Sequence, residues 1–249
     1  MKNRRTGFFT GICLLIFAST IRMGTTVSAA EAWKCLICGA ENTGKFCGDC
    51  GHIKDAWPCP ECKTVNERQF CTNCGIEKPG KELLDVFSVY YQKDYEKALP
   101  LLKGLAENGD KTAQYWLGVM YQNGYGLDKN DDEEAVDWFR KVAEQGHGRA
   151  QTNLGWMYEN GRGVDQDDTE AVKWYRKAAE QGNASGQNNL GWMYEVGRGT
   201  EQNYQTAEEY YRMAADNGLA LAMRNLAKLY NNKDYSGYDP EKSLEWYCY

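Results

Sequence analysis

Eight of the ten cysteines fall at spacings that could hold a metal. Cys35-x2-Cys38 is followed after eight residues by Cys47-x2-Cys50. Cys59-x2-Cys62 is followed after eight by Cys71-x2-Cys74. The two units are copies offset by 24 residues: Trp33/Trp57, Asn42/Asn66, Phe46/Phe70 and Gly51/Gly75 correspond. Each Cys-x-x-Cys pair can supply two thiolates to one side of a tetrahedron, and a tight hairpin brings two such pairs together. A four-cysteine site closed in this way is structural, with no open coordination position for catalysis. Gly51 and Gly75 suit the turn that points backbone N–H groups at sulfur. Two Zn(2+) ions, held by Cys35, Cys38, Cys47, Cys50 and by Cys59, Cys62, Cys71, Cys74, are the expectation. Disulfide pairing is the competing reading, because an exported chain meets an oxidising compartment. No βαβ pattern surrounds the motifs, which argues against a thioredoxin-like oxidoreductase.

Export itself is read from the first 30 residues. Lys2, Arg4 and Arg5 precede an apolar run from Phe8 to Ile21, and Val27-Ser28-Ala29-Ala30 supplies small residues for cleavage. This is the three-part pattern of a secretory signal peptide. The apolar run is shorter than the ~20 residues that span a bilayer. The expectation is therefore no stable membrane span after cleavage, and a location in the bacterial periplasm, at the cell surface or outside the cell. An uncleaved signal anchor is the alternative. The formal net charge is −6, and losing Lys2, Arg4, Arg5 and Arg22 would take the mature chain to about −10. Nucleic acid is not expected as a ligand, because phosphate binding needs a basic footprint.

The remainder of the chain is organised by repetition. LGWMYE at Leu154–Glu159 returns at Leu190–Glu195, with Leu117-Gly118 upstream and Leu226-Ala227 downstream. The spacings are 37, 36 and 36 residues, a period that marks a repeat array. Glu77-Lys78-Pro79-Gly80-Lys81 breaks the pattern and sets the boundary with the cysteine block. In each unit a first helix carries an Ala/Gly, Leu, Gly, Tyr stripe such as Ala150, Leu154, Gly155 and Tyr158. A Gly-x-Gly loop follows. It lies after a helix and lacks the further Gly and Lys of a phosphate loop, so it reads as a turn. A second helix carries residues such as Ala171, Trp174, Tyr175, Ala178 and Ala179. The acidic runs at Asp128–Glu134 and Asp165–Glu170 read as helix caps and dipole partners rather than a calcium loop.

The stripe A-x3-L-G-x2-Y-x2-G-x-G-V followed by A-x2-W-Y-x-K-A-A-x2-G resembles the Sel1-like repeat family, a relative of the tetratricopeptide repeat. The likeness covers about residues 82–249. The cysteine block, from Trp33 to about Lys78, resembles the double zinc ribbon (DZANK-type) family. Together these imply an all-α, right-handed helix-pair solenoid preceded by a small β-hairpin zinc-ribbon module. The domains would be a signal peptide at 1–30, a double zinc ribbon at 31–78 and a solenoid at 79–249. The solenoid would hold one short first repeat, three full repeats and a truncated last one.

Alignment on Leu154-Gly155 with the tetratricopeptide pattern directs four positions per repeat to a concave face, among them Tyr115, Arg149, Thr152, Trp156, Glu159, Ser185, Trp192 and Glu195. Asn153, Asn189 and Asn225 form a ladder beside them. Trp156 and Trp192 could stack on a ligand's apolar groups, and the ladder could hydrogen-bond an extended peptide. The alternative is that both sets brace the repeats. No nucleophile, base and orienting acid can be assembled, so no catalytic residues are expected. The expected function is a non-catalytic exported scaffold that binds a protein or peptide partner through the array, with the zinc module as a second docking element. The alternative is an accessory regulator of an envelope enzyme or a weak β-lactam-related hydrolase.

Overall fold

The computed structural model describes residues 79–247 and four short strands before them. β1 (Trp33–Lys34) pairs antiparallel with β2 (Glu41–Asn42), and β3 (Trp57–Pro58) with β4 (Val65–Asn66). Trp33 faces Asn42 and Trp57 faces Asn66, the same register displaced by the offset between the two cysteine units. In each unit the first cysteine pair lies, in sequence, between the paired strands. The signal sequence expected at 1–30, all eight patterned cysteines and Cys248 lie outside the described residues.

Ten helices follow, as five pairs of a helix A and a helix B. They are α1 (Lys81–Tyr91) with α2 (Tyr95–Glu107), and α3 (Lys111–Asn123) with α4 (Asp132–Ala143). Next come α5 (Gly148–Asn160) with α6 (Asp168–Glu180), and α7 (Ala184–Val196) with α8 (Tyr204–Asp216). The last pair is α9 (Ala220–Tyr230) with α10 (Pro240–Tyr247). Each helix packs on the next in sequence, and helix A of one repeat also touches helix A of the next, as α5 does α7. This is an all-α helical repeat solenoid.

Local chemistry sets the helix starts. Asp131 accepts the Glu134 N–H at 3.2 Å, and Asp167 accepts the Glu170 N–H at 2.9 Å. The acidic runs are thus capping residues, each satisfying a backbone donor that the helix leaves unpaired. Inside the pairs, Leu117, Leu154, Leu190 and Leu226 are fully buried, as are Phe139, Tyr175 and Tyr211. Burying each such side chain contributes about 1.5–3 kcal/mol.

The glycine after each stripe leucine is a packing requirement. A Cβ on Gly155 would lie 2.8 Å from the Tyr175 ring, and one on Gly191 would lie 2.9 Å from Tyr211. The aromatic ring of helix B packs against the bare backbone of helix A. In the last repeat the position is Ala227, and the corresponding aromatic Tyr247 is 53% exposed instead of buried.

Candidate functional site

The Gly-x-Gly loops are where one repeat grips its predecessor. Gly163 has φ +68°, and a Cβ there would stand 2.2 Å from the Asp132 carbonyl oxygen. The loop after α5 therefore lies directly on the first turn of α4. Between the two glycines, Arg162 reaches back to the Asp132 carboxylate with Nε at 2.8 Å and Nη2 at 2.6 Å. Its guanidinium also sits 5.2 Å from the centre of the Trp156 ring. One repeat later, Arg198 bonds Asp168 through Nε at 2.9 Å and lies 5.3 Å from Trp192. Fork-to-carboxylate pairing of this kind adds geometric specificity to charge attraction. At the front of the array the same two positions hold Tyr125 and Tyr95, whose rings stack at 4.3 Å. Towards the back, Tyr204 meets Tyr235 at 6.0 Å. An ion-pair clasp in the centre gives way to aromatic clasps near both ends.

A second brace joins helix A to helix B within a repeat. The Tyr175 hydroxyl donates to Glu159 Oε2 at 2.6 Å, and the Tyr211 hydroxyl to Glu195 Oε2 at 2.6 Å. Burial, followed by the hydrogen bond to the Glu159 carboxylate, pushes the Tyr175 phenol far above its ordinary range. For Tyr211 the order is burial and then the Glu195 charge. In the preceding repeat both partners differ together: Gln122 replaces the glutamate and Phe139 replaces the tyrosine. Gln122 turns to Met157 Sδ instead, at 3.5 Å.

These contacts redistribute the residues expected to line a groove. Glu159 and Glu195 accept hydrogen bonds inside the array. Trp156 and Trp192 are half-buried, and each packs against the apolar cores of two successive repeats beneath its arginine. Tyr115 is only 7% exposed and stacks on His147 at 4.8 Å. The asparagine ladder divides. Asn225 Nδ2 donates to Asn188 Oδ1 of the previous repeat at 2.9 Å, and Asn189 Oδ1 accepts from Asn188 at 3.2 Å. The helix-B aromatic that precedes Asn153 is Phe139, which has no hydroxyl. Among the described residues, Asn153 has no side-chain hydrogen bond.

What remains open is a cavity of about 250 Å³ across three successive A helices, lined by Tyr115, Arg149, Thr152, Asn153, Asn183 and Ser185. Among the described residues its lining supplies a guanidinium, amides and hydroxyls. Helical spacing predicted the orientation of Arg149, Thr152, Asn153 and Ser185. Asn183 was not foreseen as a wall residue. It caps α7 by accepting the Gly186 N–H at 2.9 Å, and its Oδ1 also accepts the Thr152 hydroxyl at 3.1 Å. Arg162 and Arg198 were also missed as functional positions. The signal available was the identity of the middle residue of the Gly-x-Gly loop, read against the first residue of the preceding helix B.

No histidine-centred catalytic set forms among the described residues: His147 caps α5 by accepting the Ala150 N–H at 3.2 Å. No helix among them is long and apolar enough to cross a membrane.

The Sel1 repeat pattern matches four successive units, residues 111–147, 148–183, 184–219 and 220–248. The first pair, α1–α2, precedes these units but is built in the same way. Among solved structures, the chain is similar to a Sel1 repeat protein from Oxalobacter formigenes at 35% identity, over 68% of this chain and 67% of that one, with a TM-score of 0.61. It is similar at 36% identity and a TM-score of 0.61 to c5321, a protective antigen of uropathogenic Escherichia coli, over 68% of this chain. It spans 38% of that protein's length. No curated protein sequence gives a significant match. Sel1 repeat proteins are generally protein-interaction scaffolds, and the fold is typically non-catalytic. With four matched repeats and this shared architecture, the chain belongs to the Sel1 repeat family.

Proposed function

We propose that this protein is a non-catalytic exported scaffold whose array docks a protein partner along the face formed by its A helices. The observation that carries this reading is the polar cavity shared by α3, α5 and α7: it spans three repeats, with Ser185 exposed, Arg149, Asn153 and Asn183 half-buried, and Tyr115 and Thr152 buried. Residues 31–78 act as a second, zinc-stabilised docking module. The cysteine spacing fits tetrahedral thiolate ligation, and the two β-hairpins in identical register support two copies of one small unit. Cys35, Cys38, Cys47 and Cys50 would hold one ion, and Cys59, Cys62, Cys71 and Cys74 the other. Bound zinc would supply folding free energy to a module too small to bury a sufficient core. Residues 1–30 direct export, leaving the mature chain in the periplasm or at the cell surface.

The test is affinity capture from envelope fractions of the source organism. It uses the full chain, the chain without residues 31–78, and Ser185→Arg, which blocks the cavity. A partner retained by the full chain and lost with Ser185→Arg is expected. Identical capture with the cavity blocked would overturn array docking. Metal analysis of the purified protein is expected to give about two zinc ions per chain. Eight disulfide-bonded cysteines with no zinc would refute the ribbon assignment.

A further inference from the structure

The chain contains four Asn-Gly dipeptides: Asn108-Gly109, Asn123-Gly124, Asn160-Gly161 and Asn217-Gly218. Glycine has no side chain to shield its backbone nitrogen, so the amide carbon of a preceding asparagine is within easy reach of it. Each dipeptide sits at the C-terminal end of a helix, α2, α3, α5 or α8. In each, the asparagine is exposed and the glycine has a positive φ. Each glycine N–H donates to a carbonyl of the last turn, that of Ala106, Tyr121, Met157 or Ala215. Sequence and backbone therefore treat the four sites alike.

Their surroundings do not. Asn123 Nδ2 donates to the Val119 carbonyl at 2.8 Å, and Asn160 Nδ2 to the Trp156 carbonyl at 2.9 Å. Asn217 Nδ2 donates to Gln187 Oε1 on α7 at 3.0 Å. The Asn108 side chain has no hydrogen bond among the described residues. The glycines divide as well. A Cβ on Gly124 would lie 2.9 Å from the Asn130 backbone nitrogen, and one on Gly161 would lie 3.3 Å from Gln166. One on Gly109 would meet nothing within 4 Å. Gly218 is equally open, but its asparagine is one of the three that are held. Of the four sites, Asn108-Gly109 alone joins a free amide to an uncrowded turn.

We propose that Asn108 is a deamidation site, through which the first helix pair is modified without an enzyme. The Gly109 nitrogen forms a bond to Asn108 Cγ, the Cγ–Nδ2 bond breaks, and ammonia leaves carrying the proton from the Gly109 nitrogen. Water then opens the cyclic imide at either of its carbonyls. One opening gives aspartate; the other gives isoaspartate, with the chain running through the former side chain. Both products place a carboxylate at the C-terminal end of α2, where the helix dipole disfavours negative charge. That carboxylate lies close in sequence to Glu107 and Asp110, and it shares the wall of a cavity of about 440 Å³ with Glu82 and Asp85. Asp110 caps α3 by accepting the Ala113 N–H at 2.8 Å. Isoaspartate lengthens the turn that carries this cap, so modification loosens the joint between α2 and α3.

The experiment incubates the full chain in warm, mildly alkaline buffer and follows its peptides by mass spectrometry, with aspartyl and isoaspartyl products separated by chromatography. Holding an amide in a hydrogen bond slows its reaction by about two- to tenfold, so Asn108 is expected to convert faster than Asn123, Asn160 and Asn217 by that factor. In urea, where those bonds are lost, the four rates should converge. Asn108→Gln should remove the fast conversion, and Asn108→Asp should lower the urea midpoint of the folded chain. Another of the four converting as fast as Asn108 in the folded chain, the same ranking in urea, or no conversion at any site overturns the proposal. An unchanged midpoint for Asn108→Asp overturns the loosening of the joint.

Discussion

If Glu159 braces its repeat and is not a groove ligand, its energetics are tied to Tyr175 and can be measured. Tyr175→Phe removes one hydroxyl and leaves the Glu159 side chain, only 14% exposed, with Arg198 at 3.7 Å as its charged neighbour. A hydrogen bond to a charged group contributes about 1.5–3 kcal/mol, so Tyr175→Phe is expected to cost roughly 2 kcal/mol. Glu159→Gln keeps an amide near the hydroxyl and should cost about 1 kcal/mol. The double variant recreates the Gln122 and Phe139 pair that the preceding repeat already uses. Its cost should fall short of the sum of the single costs by about 1 kcal/mol or more. Urea unfolding followed by tryptophan fluorescence reads these changes. With a slope of about 2 kcal/mol per M, Tyr175→Phe lowers the midpoint by about 1 M. Partner capture from envelope fractions provides the second readout: Glu159→Gln should leave it unchanged. Strictly additive single costs, or a Glu159→Gln protein that loses partner capture at an unchanged midpoint, would refute the brace.

The same logic runs forward in the preceding repeat, where Gln122→Glu with Phe139→Tyr should install a third brace and raise stability by about 1 kcal/mol; if either single change stabilises as much as the pair, the two positions are not coupled. Gly163→Ala combines a left-handed backbone with a Cβ 2.2 Å from the Asp132 carbonyl. It should cost more than about 2 kcal/mol, well above Gly146→Ala, whose Cβ would meet nothing within 4 Å. Equal melting temperatures for the two variants would contradict the close loop packing. Burial drives the phenols of Tyr90, Tyr175 and Tyr211 above their ordinary range, and burial with the Glu208 hydrogen bond pushes Tyr230 up to about 12. Their folded-state values exceed the unfolded value of about 10, so their contribution is fully present below pH ~10 and is lost as pH rises towards 12. Urea midpoints at pH 8, 10 and 11.5 should fall over the last interval, and a flat profile would contradict the buried neutral tyrosines.

Much of the fold was legible because its signals are local. The stripe Ala150, Leu154, Gly155 and Tyr158 repeats along one helix and specifies a buried face whatever lies opposite. Asp131, Asp167 and Asn183 cap helices through backbone groups three residues away. The period of 36 or 37 residues follows from these marks alone. The Gly-x-Gly element was read correctly as a turn, but not as the surface on which the loop meets the preceding repeat.

The candidate site was legible only in part. Helical spacing put Arg149, Thr152, Asn153 and Ser185 on one face, and the cavity lies there. The same spacing put Trp156, Trp192, Glu159 and Glu195 on it too, and their outcome depended on residues far away in sequence. Glu159 finds Tyr175 sixteen residues on, in the other helix of its repeat. Trp156 is covered by Arg162 and by the next repeat. Periodicity assigns a direction to a side chain but says nothing of its reach or of what the neighbouring repeat brings to meet it. Local signals along the chain set the repeat, its helices and their caps. Which polar groups are consumed as braces is settled in three dimensions, because that division is made by contacts between helices and between repeats.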